Sequence, residues 1–153
     1  MEIEYFIPPE DDVWRGFHGQ WIDESWAWLR SIGLREDLMT KCVHADDKLA
    51  HYARACTDIL FKFPFGTQEL MGIAARGNFD LTQHGTCSGK SMEYFDAAEN
   101  RKYVPHVIEP SLGVDRLFLA LITSAYREEE VEGEKRVVLG FHPSIAPVKV
   151  STS

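Results

Sequence analysis

A chain of 153 residues, 44% hydrophobic and 12% aromatic, carries enough apolar surface for one domain with a sizeable core and is not composed like a disordered tail. Its 16 basic and 24 acidic residues give a net charge of −8, the wrong sign for gripping nucleic acid over the whole surface; such a partner would be held locally or by other parts of a larger molecule. No apolar run approaches the roughly 20 residues of a membrane span, no secretory signal opens the chain, and Cys42, Cys56 and Cys87 are too scattered for a disulfide framework or zinc knuckle, so reduced thiols in a cytoplasmic protein are expected.

Met1 to Ile7 alternates with a period of two and predicts a strand with Glu2 and Glu4 on one face, ended by Pro8-Pro9. Asp11 to Ile32 predicts a helix capped by Asp11 or Asp12 and stopped by Gly33, with Trp14, Phe17, Trp21 and Trp28 as a core stripe. A second helix is expected from Arg35 to about Val43, and a short helical piece from Leu49 to Ala53. Cys56 to Phe63 and Gln68 to Ala74 predict two strands joined as a hairpin through Pro64-Phe65-Gly66. Asn78 to His84 predicts a short helix or loop, Met92 to Phe95 a strand, Asp96 to Arg101 a turn and Lys102 to Glu109 a strand. From Gly113 to Tyr126 the spacing predicts a helix burying Val114, Leu117, Phe118, Leu121, Ile122 and Ala125. The acidic run from Arg127 to Glu134 reads as a solvated connection, before a final strand pair from Arg136 to Val150 broken at His142-Pro143. Strands outnumber helices and meet through hairpins, so the expected fold is α+β, a mainly antiparallel sheet flanked by helices, in a single domain over 1–153.

Two superficially attractive motifs carry little. Gly85 to Ser91 has three residues between its glycines where a P-loop needs four, and a strand-like segment follows it. His44, Asp46, Asp47 and His51 could ligate a metal only on a continuous helix; a cap at Asp46 or Asp47 and a hydrogen-bonded His51 explain them without one. Charges bordering apolar strands are more informative, because a buried charge costs several kcal/mol unless paired or liganded. Glu69, Arg76 and Glu109 are such charges, and each taken singly is explained by a salt bridge. Arg116 adds a cation in the first turn of a helix, mildly unfavourable by about 0.3–1 kcal/mol unless an anion lies between it and the positive helix end. With Glu2, these residues make three carboxylates and two guanidiniums that one antiparallel sheet could converge on a cavity suited to a zwitterion beside a polyphosphate.

Glu109-Pro110-Ser111-x-Gly113-x-x-Arg116 resembles motif 3 of the class II aminoacyl-tRNA synthetases, in the form found in the homodimeric glycyl-tRNA synthetases. Met1-Glu2-Ile3-Glu4-Tyr5-Phe6 resembles the second strand of motif 2. Leu49-Ala50-His51-Tyr52-Ala53, Phe63-Pro64-Phe65-Gly66, Glu69-Leu70-x-Gly72-Ile73-Ala74, Phe79-Asp80-Leu81 and Ala146-Pro147-x-Lys149 fit the same family in the same order. The resemblance implies that Glu2, Glu109 and Ser111 hold the ammonium of glycine and that Arg76 takes its carboxylate. It implies ATP at Glu69, Leu70, Gly113, Val114, Asp115 and Arg116, with Arg116 as the catalytic cation over the adenine face and γ-phosphate, and Mg2+ at Glu69. Glycine, ATP and tRNA(Gly) would be the reactants, with a homodimer in the full-length enzyme.

The sequence departs from the family at Thr67, where tryptophan is usual, and at Ala75, Gly77 and Asn78 around Arg76. Motif 1, the first strand of motif 2 with its α-phosphate arginine, and the anticodon-binding domain have no counterpart in these residues. The chain is therefore expected to represent the C-terminal part of a catalytic core, with an exposed sheet edge and without useful aminoacylation by itself. The alternative is a non-catalytic derivative that binds amino acid, nucleotide or a protein partner for regulation.

Overall fold

The computed structural model describes residues 1–51 and 53–149; Tyr52, Val150 and residues 151–153 lie outside the described residues, as do the side chains of Asp11 and Asp46. In chain order the elements are β1 (Tyr5–Ile7), α1 (Asp11–Ser31), β2 (Met39–Val43), β3 (Ala55–Phe63), β4 (Gly66–Gly77), α2 (Phe79–Ser88), β5 (Tyr94–Asp96), β6 (Arg101–Tyr103), β7 (His106–Leu112), α3 (Val114–Ala125), β8 (Tyr126–Val131) and β9 (Glu134–Leu139). Five strands form one antiparallel sheet in the order β1-β7-β4-β3-β2, and β5-β6 and β8-β9 are separate hairpins. The fold is α+β, as the strand and hairpin pattern predicts.

Strand alternation gives the sheet two unlike faces. Ile59, Phe61, Ile73 and Ile108 point into the core with no exposed surface, where α1 packs against β4 and β7 and α3 against β3. The intervening residues Cys56, Asp58, Gly72, Ala74, Arg76, Glu109 and Ser111 are only half-buried and face the other way. That second face holds the charged residues.

The first helix shows why its stripe forms. Leu29, Ser25 and His18 lie at the centre of the buried arc, with Trp14, Phe17 and Trp21 packed beside them; Trp28 sits at the rim, 39% exposed, rather than in the core. His18 is satisfied by its Nε2 contact with the Ile73 carbonyl at 3.0 Å. The helix starts from Glu10, which forms no side-chain cap bond, instead of from an aspartate cap. It ends as predicted at Gly33: Gly33 N–H bonds to Arg30 O and Leu34 N–H to Leu29 O, a Schellman closure with Leu34 against Leu29. Gly33 has φ +101°, and a Cβ there would lie 2.8 Å from the Cβ of His142. Gly33→Ala is expected to cost more than about 1 kcal/mol, read as a lower urea midpoint at unchanged slope.

Several expectations are corrected. Arg35 to Val43 is a 3-10 turn at Glu36–Leu38 followed by strand β2, because pairing with β3 satisfies a backbone that a short helix, costly to nucleate, would leave marginal. Near Leu49 to Ala53 the described residues hold a 3-10 turn at Asp46–Lys48 and no α-helix. The predicted strand from Lys102 to Glu109 is two strands, β6 and β7, separated at Val104-Pro105. The acidic connection is β8 and its turn: Glu132 (φ +56°) and Gly133 (φ +85°) make a two-residue primed turn, and Glu129 faces Arg136, and Glu130 Lys135, across the hairpin. The final strand pair is thus β8-β9, ending at Leu139, and His142-Pro143 lies in turns. On α3 the buried face centres on Ala120, so Val114 and Phe118 are 61% and 65% exposed rather than buried.

Candidate functional site

Sheet register lines the charged face up in rows. Cys42 pairs with Asp58, Asp58 with Gly72, Gly72 with Ser111, and Ser111 bridges to Glu2, so one row crosses the whole sheet. The neighbouring row runs from Cys56 through Ala74 to Glu109. Arg76 would belong two residues beyond Ala74, but β4 slips register between Ala75 and Gly77, and Gly77 takes φ +64°. A bulge with glycine in the left-handed region re-aims the residue beside it. The departure at Gly77 therefore has a structural use: only glycine takes this backbone cheaply, and Arg76 swings over the face of β7.

Arg76 makes two ion pairs from there. Its Nη1 donates to Glu109 Oε2 at 2.6 Å and its Nε to Asp80 Oδ2 at 2.8 Å. Asp80 lies in the first turn of α2, where the helix dipole also favours a carboxylate. Glu109 is the least exposed of the three, with 13% of its side chain in contact with solvent. Glu4 stands beside it: burial first, then the charge of Glu109 and a hydrogen bond between the two, hold the Glu4 carboxyl above the ordinary carboxylate range. Glu2, Glu4, Arg76, Asp80, His84 and Glu109 line a pocket of 360 Å³. Four carboxylates against one guanidinium make its field negative, which favours an ammonium over a free anion.

A second group lies further along β4 and α3. Arg116 is exposed, and its Nη1 donates a short hydrogen bond to the main-chain oxygen of Glu69. The cation at the helix start thus already has a partner on β4. Glu69 is exposed; Leu70 turns its side chain into the core, leaving its main chain towards this region. Gly113 is the N-cap of α3, and Val114 and Asp115 are exposed in its first turn. A Cβ on Gly72 would meet Glu69 Oε1 at 3.4 Å and Asp58 Oδ1 at 3.5 Å, so the bare glycine leaves a gap between two carboxylates.

The structure brings Glu2, Arg76 and Glu109 to one pocket, joins Ser111 to Glu2 through the sheet, and ties Arg116 to Glu69. Sequence reasoning put Glu4 on one face with Glu2 but gave it no part in the site, and it missed Asp58 and Asp80. Asp80 was readable, being four residues after Arg76 at a helix start, and Asp58 alternates with the buried Thr57 and Ile59. The two discounted motifs take the following places in the fold. Gly85 to Ser88 closes α2 and Gly89 is its left-handed C-cap, so no helix N-terminus follows for a phosphate. His44 turns to Asp58 at 2.7 Å rather than to His51, whose ring stands edge-on to Phe79 at 5.1 Å.

Cys56 is half-buried beside Asp58, and burial first, then that carboxylate, pushes its thiol up to about 12. Cys42 and Cys87 are exposed. In the presence of chelator at pH 8, Cys56 is expected to alkylate at least about tenfold more slowly than either, measured by mass spectrometry of timed iodoacetamide quenches.

The chain is 49% identical over 152 residues to a glycine–tRNA ligase of Lysinibacillus sphaericus, the match covering 99% of this chain and 32% of that protein. A glycine–tRNA ligase of Lachnospira eligens is 50% identical over 152 residues, 98% of this chain and 32% of that one. A third, from Caldanaerobacter subterraneus subsp. tengcongensis, is 49% identical over 152 residues, 99% of this chain and 32% of that protein. Over nearly its whole length the chain is similar to one part of the glycine–tRNA ligases. It spans 32% of the length of these relatives, and its five-stranded sheet is antiparallel, as the resemblance to class II motifs implies. No protein-family model matches it. Among the described residues no helix is long and apolar enough to cross a membrane.

Proposed function

We propose that residues 1–153 act as one unit, the glycine- and ATP-binding part of a glycine–tRNA ligase that forms glycyl-adenylate and passes the glycyl group to tRNA(Gly). The observation that carries this reading is the Arg76–Glu109 pair at 2.6 Å on the wall of an acidic pocket. A glycine zwitterion inserted there exchanges one ion pair for two, carboxylate to Arg76 and ammonium to Glu109, with Ser111 and Glu2 beside it. Arg116 at the helix start, with Gly113, Val114, Asp115 and the main chain of Leu70, would take the nucleotide. Glu69 offers an exposed, oxygen-only donor next to the Gly72 gap, the donor chemistry Mg2+ takes; the ion, held there, would neutralise phosphate charge.

The glycine carboxylate is already a nucleophile, so attack on the α-phosphorus needs no general base; its C–O–P bond forms as pyrophosphate leaves. The chain's contribution is to hold the carboxylate in line and to place Arg116 against developing charge.

Glycine-dependent ATP–pyrophosphate exchange tests the reading. The 153-residue chain by itself is expected to show none above background, since one missing charge-stabilising donor costs about 3–4 kcal/mol. Supplying the motif 1 and motif 2 segment of the Lysinibacillus sphaericus relative in trans is expected to restore exchange. Persistent absence with both segments folded and associated would refute the enzyme-part reading.

The proposal also fixes a pH dependence. Glu4 is protonated from the ordinary carboxylate range up to its raised pKa, and an ammonium partner prefers it ionised. Glycine affinity is therefore expected to rise as pH climbs through that window, with a proton released on binding. Titration calorimetry in buffers of different ionisation enthalpy measures the release, and Glu4→Gln should remove it.

A further inference from the structure

A second cluster lies at the far edge of the same sheet face, on β2, β3 and the residue after β2. His44 follows β2 and donates its main-chain N–H to the Cys56 carbonyl at 3.0 Å. Cys56 and Asp58 are two residues apart on β3 and so share a face. Asp58 is the hub: its Oδ2 is 2.7 Å from His44 Nε2, and its Oδ1 accepts from the Cys56 thiol at 3.6 Å. One ligand-capable atom from each of the three lies within 4.8 Å of the others, and all three residues are half-buried. We propose that His44, Cys56 and Asp58 bind one thiophilic divalent cation, of the chemistry of Zn2+, with solvent in the fourth position.

The donor set decides the class of ion. One imidazole nitrogen, one thiolate and one carboxylate suit Zn2+ and Co2+, whereas Mg2+ and Ca2+ take oxygen donors. Zinc bond lengths place tetrahedral ligand atoms about 3.3–3.6 Å apart. The observed 2.7 and 3.6 Å contacts to Asp58 bracket that range, so the ion replaces the bridging protons with small shifts of three side chains. The field supports a cation, since Asp58, Glu69 and Glu109 all act on Cys56 as negative neighbours. Backbone pairing between β2 and β3 holds the donors without any ion, so the site is preformed. It stands on this hairpin alone, independent of the glycine reading.

Cobalt titration of the reduced full chain carrying Cys42→Ser and Cys87→Ser tests it, leaving Cys56 as the sole thiol. A thiolate-to-cobalt charge-transfer band is expected to saturate at one equivalent, with d–d bands of four-coordinate intensity. Zn2+ should bleach both bands and Mg2+ should not. Cys56→Ser should abolish the charge-transfer band, and His44→Ala should weaken binding at least about a hundredfold. Circular dichroism checks that each variant folds, and Asp58→Asn serves as a second probe should His44→Ala unfold. Absence of the charge-transfer band, its survival in Cys56→Ser, or affinity unchanged in both His44→Ala and Asp58→Asn would overturn the proposal.

Discussion

Replacing Arg76 by leucine is expected to weaken glycine binding by about 30- to 4,000-fold, because truncating one side of a desolvated, hydrogen-bonded charge pair costs about 2–5 kcal/mol. The guanidinium is 20% exposed and joins Glu109, 13% exposed, to Asp80, 39% exposed, so the lower half of that range applies to the Asp80 side. Without it, Glu2, Glu4, Asp80 and Glu109 line the pocket with no counter-charge, and the carboxylate of glycine meets repulsion. Arg76→Lys keeps a point charge but loses the fork that reaches both acids, and should fall between. Ligand-observed NMR with labelled glycine measures the affinities, and circular dichroism verifies the fold. Glycine affinity unchanged in folded Arg76→Leu would remove Arg76 from the site.

The second large effect is on stability. Phe61→Ala is expected to cost about 3–5 kcal/mol, about a fifth or more of what a domain of ordinary stability has to lose. Phe61 has no exposed surface, pairs with Met39 on β2 and Gln68 on β4, and meets Phe63 with ring centroids 4.9 Å apart. Its removal opens a cavity under the strand that carries Cys56 and Asp58. Phe65→Ala is the control: it stacks on Phe63 at 5.2 Å but is 66% exposed at the hairpin turn, and less than about 1 kcal/mol is expected. Urea unfolding of the two variants side by side gives the difference, and equal midpoints would contradict the core assignment.

What the sequence announced and what it hid follow from the range of the forces involved. The β3-β4 hairpin was legible because Pro64-Phe65-Gly66 is a local turn signal between apolar runs, and α1 and α3 because their periodicity spans several turns. Strand β2 was not, since Met39–Val43 is short and ambiguous until β3 offers it a ladder. The β8-β9 hairpin was masked by its acids, whose like charges are relieved only by Arg136 and Lys135 on the returning strand. Arg76 and Glu109 stood out as charges ending apolar runs, but their pairing depends on the bulge at Gly77 and on register between β4 and β7, which are tertiary facts. Asp58 and Glu4 gave no such local sign. Their neighbours are distant in sequence: His44 follows β2, and Glu109 lies on β7.

As proposed, one acidic pocket on this sheet would take a glycine zwitterion beside a nucleotide. A crystal structure of the chain with glycine and a non-hydrolysable ATP analogue tests it most directly. The ammonium is expected between Glu109, Ser111 and Glu2, the carboxylate on Arg76 with its bond to Glu109 opened, and the nucleotide against Arg116. Glycine bound elsewhere or in the opposite sense, or an Arg76–Glu109 pair left closed at saturating ligand, would contradict it.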